Sequence, residues 1–130
     1  MKVWYTTSSA DHTELKGAAP FSAAFVEDFR GRIRFYRDDS DILAWVQPDE
    51  PEVSNISPAK LEQLYEITRE EDPYHPVWIS NDSVEGMKTY ARCADAAVPH
   101  PYPPAHPDKR INDFTKLLKI QRAYHEPTGF

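Results

Sequence analysis

The chain carries a single cysteine, Cys93, and only four glycines in 130 residues. A lone thiol forms no internal disulfide, and it fits neither a disulfide scaffold nor a cysteine-based zinc site. Four glycines leave little scope for a phosphate-cradling loop, and neither the dinucleotide-binding nor the Walker pattern occurs. No apolar run approaches the roughly 18 residues needed to cross a bilayer, so no membrane partner is expected. Positive charge is in deficit as well. Fifteen Lys and Arg against 21 Asp and Glu give a formal charge of -6, which offers no basic surface to a phosphate backbone and argues against nucleic acid as a partner. No secretory h-region follows Met1-Lys2, so a cytoplasmic protein is expected if Met1 is the true start.

What is present is the composition of one globular domain covering residues 1–130: 40% hydrophobic and 12% aromatic residues, with a mean hydropathy of -0.67. The β-branched and aromatic run Lys2 to Thr7 reads as a strand. Phe25, Val26, Phe29 and Ile33 recur at helical spacing and predict a helix from Phe21 to about Tyr36, ended by Asp38-Asp39-Ser40-Asp41. Ile42 to Gln47 is a nearly unbroken apolar run, as in a strand covered on both faces. Ser57-Pro58 is a helix start, with the serine as cap and proline at the first helical position. Leu61, Leu64, Tyr65 and Thr68 mark that helix's inner face as far as Asp72-Pro73. Pro76 to Ser80 predicts a third strand, Val84, Met87 and Tyr90 a weaker helix, and Ala94 to Val98 a fourth strand. A last helix is predicted between about Lys109 and Tyr124. Strands alternating with helices imply βαβ crossovers and a parallel sheet, so the fold class is α/β. The order alone leaves open whether the sheet is doubly wound or an arc of a (β/α)₈ barrel.

Asp49, Glu50 and Glu52 follow the second strand at its C-terminal end, where parallel α/β folds build their sites. Counting back by two from Glu50 puts Pro48, Val46 and Ala44 on one face and leaves Trp45 and Leu43 toward the helices, with Pro48 as the point where parity can break. A neighbouring carboxylate, Asp49 or Glu52, together with partial burial would raise the pKa of Glu50 toward that of a general acid. The plainer reading of the same run is an acidic loop that caps a turn.

The segment Trp45-Val46-Gln47-Pro48-Asp49-Glu50-Pro51-Glu52 resembles the W-x-x-x-[D/N]-E-P stretch on the fourth strand of clan-A glycoside hydrolases, retaining enzymes built on a (β/α)₈ barrel. Ser57-Pro58 with Lys60-Leu61, and Asp72 to Val77, look similar to that neighbourhood. Ala94 to Pro103 looks like the sixth-strand segment of such barrels. The resemblance runs from Met1 to about Pro104 and is sharp only at Asp49-Glu50-Pro51. It implies four βα units forming part of a barrel, a carbohydrate substrate with no cofactor and no metal, and Glu50 as general acid/base. Asp49, His100 and Tyr102 would bind the sugar. The family's nucleophilic glutamate would lie outside this chain, which would make the chain a fragment that is inactive alone. Asp49 stands where asparagine is commoner and His100 where aspartate is usual, so hydrogen bonding at both positions departs from the family's.

Other residues invite weaker readings. Val98 to Asp108 carries five prolines and reads either as a stiff rim presenting His100 and Tyr102 or as a plain connection. His75, His100 and His106 lack the helical spacing of a metal site. Asp38 to Asp41 lacks the glycine and terminal glutamate of a calcium loop and reads as a solvated turn. Cys93 reads as buried and inert, and Trp78 as core in preference to the lining of a subsite. A different class of function is a non-catalytic α/β domain that pairs with a second copy, or with the missing half of a barrel, through exposed sheet edges.

Overall fold

The computed structural model describes residues 2–7, 11–99 and 119. The elements run β1 (Lys2–Tyr5), α1 (His12–Lys16), α2 (Ala23–Tyr36), β2 (Ile42–Val46), α3 (Pro58–Glu71), β3 (Val77–Asn81), α4 (Val84–Thr89) and β4 (Ala96–Pro99). The four strands form one sheet in the order β1-β2-β3-β4, and every neighbouring pair is parallel. The α/β class and the absence of an antiparallel neighbour among these strands are as the sequence predicts. Because the order never reverses among the described residues, the sheet has no switch-point crevice of the doubly wound kind.

Alternation along the strands sorts their side chains into two faces. Trp45, Val77, Ile79 and Ala97 join one core cluster with Leu15 of α1, Phe29 and Ile33 of α2, and Leu61, Leu64, Tyr65 and Ile67 of α3. Ile56, ahead of α3, and Tyr90, Cys93 and Ala94, which follow α4, complete it. The register couples Val46 to Trp78 and Ser80 to Val98 on the other face. There Val46 and Trp78 are half-buried, and Val3 and Val98 stay 44% and 43% exposed. Trp78 therefore belongs to the open face and not to the core expected for it.

Local chemistry explains most element ends. Ser22 and Ser83 cap α2 and α4 by accepting from Phe25 N and Gly86 N. Ser57 stands at the cap of α3 with Pro58 at the first turn, but its hydroxyl makes no cap bond; the proline and the bond from Leu61 N to Ser57 O start the helix. Asp39 accepts from the Asp41 amide at 2.9 Å, which turns the chain after α2 as a solvated turn would. Of the helix expected over 109–124 only Lys119 is among the described residues, and it is helical. No helix among the described residues is long and apolar enough to cross a membrane.

Candidate functional site

The C-terminal edge of the sheet is built by the turn after β2 and the turn after β3. Gln47 and Pro48 are both buried. Gln47 is held by donating to Cys93 O at 3.2 Å and Leu61 O at 3.4 Å and accepting from Thr6 Oγ1 at 3.3 Å. The strand ends at Val46, and its alternation ends with it. Parity would put Asp49 with Trp45 on the helix side, yet it stands over the open face, where its Oδ1 accepts from Ser80 Oγ. With Val3, Val46, Trp78, Ser80 and Val98 it lines a hollow of about 210 Å³.

Glu50 is half-buried and adopts a left-handed backbone with φ of 43°. That region is costly for a side chain with a Cβ, about 1–3 kcal/mol, and is disfavoured further by the proline that follows. A turn holds it, with Val53 N donating to Glu50 O at 3.0 Å and Ile56 N to Pro51 O at 3.0 Å. The face of Glu50 is thus set by this turn, and the count by two that pairs it with Val46 does not reach it.

Glu52 leaves the group it was expected to join. Its Oε2 accepts from Asn81 Nδ2 at 2.9 Å, while Oε1 accepts from Asp82 N at 2.9 Å and from Ser83 N and Oγ at 3.3 Å. The carboxylate sits on the β3–α4 turn so closely that a Cβ at Gly86 would overlap it. Burial first and the Glu52 charge second push the Tyr90 phenol up. The capping role foreseen for the acidic run is therefore filled by one of its members, on a distant turn. Ser80 and Asn81 are the residues of this edge that sequence reasoning left out, and Trp78, read there as core rather than subsite, lines the hollow. The signal for Trp78 and Ser80 was present, since Val77 and Ile79 alternate with them. His100 and Tyr102, and with them the proline-rich rim beyond Pro99, lie outside the described residues.

The opposite edge is organised by Asp72, which is buried. Its carboxylate accepts from Trp45 Nε1 at 2.8 Å and pairs with His75 Nδ1 at 2.7 Å. The Tyr74 and His75 amides donate to it at 3.1 and 3.2 Å. Burial opposes its charge most strongly, but the hydrogen bonds from Trp45, His75 and the backbone prevail and hold its pKa below the ordinary aspartate value. Asp95 nearby accepts from Tyr65 OH at 2.7 Å and Val77 N at 2.8 Å, and burial followed by that carboxylate pushes the Tyr65 phenol to about 12. In parallel α/β folds this end serves stability. Burial pushes Cys93 to about 12, which fits the inert thiol expected there. Among the described residues no three His, Cys, Asp or Glu side chains gather as a metal site. No family model, no curated protein and no solved structure matches this chain.

Proposed function

We propose that the chain is part of a retaining glycoside hydrolase-like (β/α)₈ barrel acting on O-glycosidic bonds, with Glu50 as its general acid/base. The observation that carries this reading is the placement of Asp49 and Glu50 at the C-terminal edge of strands that follow one another in chain order, all parallel. Helices pack on one face, and a half-open apolar face lies on the other. Glu50 protonates the glycosidic oxygen as the bond to the anomeric carbon breaks. A second carboxylate takes that carbon, and Glu50 then removes a proton from the water that releases the sugar. That nucleophile comes from outside the described residues. Asp49, with Ser80, accepts hydrogen bonds from sugar hydroxyls, and His100 and Tyr102 complete the rim.

Without its nucleophile the chain turns over no aryl glycoside, so the test is affinity labelling. A panel of N-bromoacetyl glycosylamines delivers an alkylating carbon to an acid/base carboxylate. Ester formation at Glu50, saturable and suppressed by the matching free sugar, is expected by mass spectrometry. Label scattered over surface carboxylates, or unaffected by sugar, overturns the reading. The exposed valines of the open face favour a second reading, a non-catalytic domain that pairs through that face; its test belongs to the scale of the whole molecule.

A further inference from the structure

The acidic run places Glu52 two residues after Glu50, with the rigid, buried Pro51 between them. A free loop glutamate would be solvated; this one accepts four hydrogen bonds from three consecutive residues of another turn. Asn81 is fully buried and spends its amide on this contact although its Oδ1 makes no hydrogen bond. Reversing the amide would set oxygen against carboxylate, so the orientation follows from the Glu52 charge. Gly86 supplies the space, since any Cβ there would overlap the carboxylate. One residue on the other side of Pro51, the backbone of Glu50 is held at a φ of 43°. Such a conformation persists only where its surroundings over-determine it.

We infer that Glu52 is a positioning residue: by latching the β2–α3 loop onto the β3–α4 turn it holds Glu50 in its left-handed conformation and so sets the direction and environment of the Glu50 carboxyl. The role given to that carboxyl rests on the glycosidase reading, whereas the latch does not. Asn81 and Gly86 are the partner and the space the latch requires.

The full chain, with glutamate carboxyls labelled with ¹³C and Glu50 assigned through Glu50→Gln, is titrated by NMR beside Glu52→Gln and Gly86→Ala. Both variants are expected to move the Glu50 midpoint by about half a pH unit or more while keeping the wild-type circular dichroism. Gly86→Ala retains every charge and displaces only the latch. A shift in Glu52→Gln alone would reduce Glu52 to a nearby charge and overturn the positioning role, as would no shift in either. If one variant fails to fold, the other decides; unfolding of both would make the latch a general stability element and overturn the proposal too. Sugar-directed alkylation of Glu50 is expected to slow about tenfold in both variants. Absence of protectable label in the wild-type chain defeats the glycosidase reading and leaves the titration to judge the latch.

Discussion

Asp72 receives four polar contacts on one buried carboxylate, and their unequal exposure makes a prediction. Trp45 is 1% exposed, so its Nε1 has no water to fall back on once the acceptor is gone, whereas Tyr74 is 90% exposed and His75 keeps a quarter of its side chain in solvent. Asp72→Ala strands the indole donor and removes all four contacts, and is expected to cost about 3 kcal/mol; His75→Ala removes one partially exposed partner and should cost about 1 kcal/mol or less. Urea unfolding monitored by tryptophan fluorescence checks the order, and equal costs would show that His75 anchors the cluster. Legibility at this scale was uneven. That Asp49 and Glu50 end a strand could be read from Pro48 and the apolar run. Their directions could not, because the strand ends at Val46, ahead of both, and Glu50 turns left-handed. Glu52 was hidden for another reason: its partners lie about thirty residues away and leave no mark on its own neighbourhood.

At the scale of elements, α2 and α3 are tied by charge. Glu71 accepts from Arg34 Nε and a second Arg34 nitrogen at 2.8 Å and from Arg30 at 2.6 Å. Arg37 donates to the Glu71 carbonyl at 2.7 Å. The hydrogen bond from Arg34 is the main cause that lowers the Glu71 carboxyl from 4.5 to about 2; partial burial opposes it and Arg30 reinforces it. Because the folded value lies below the unfolded one, the contribution is complete above about pH 4.5 and is lost as pH falls toward 2. The urea midpoint is therefore expected to drop across that window, and the drop should be smaller in Glu71→Gln. Asp72 titrates in the same direction, so the difference between wild type and variant is the measurement, and parallel profiles would remove Glu71 from the account. The helices themselves were legible from 3.6-residue spacing, since Phe29, Ile33, Leu61 and Leu64 are the buried positions it marks. Helix α1 was not, because five residues are too few for a period, and Leu15 is fully buried by tertiary packing alone.

For the whole molecule the deciding feature is the second face of the sheet. Four strands about 4.8 Å apart and four to five residues long present about 300 Å², which is well short of the roughly 800 Å² that each partner of a stable complex buries. At about 25 cal/mol per Å² the faces of two copies together recover at most about 15 kcal/mol, against an association cost of about 4–15 kcal/mol. The surplus lies between zero and about 11 kcal/mol, and a micromolar dissociation constant needs about 8 kcal/mol, so isolated chains are expected to self-associate weakly, with the monomer–dimer equilibrium moving across the micromolar range. Under the proposed barrel reading, the partner that fills the face fully is the rest of a barrel rather than a second copy. Sedimentation across that range checks the equilibrium, with Val98→Asp on the open face and Phe35→Asp on α2 as the discriminating pair. Both residues are exposed, at 43% and 78%, so neither change disturbs a buried core. Only Val98→Asp places a charge in the contact, where two copies would bring like charges together without water. Loss of association in Val98→Asp alone assigns it to the open face; equal loss in both, or association of neither variant nor wild type together with cooperative unfolding of a stable monomer, favours a self-contained α/β domain and removes the reason to look for a missing half.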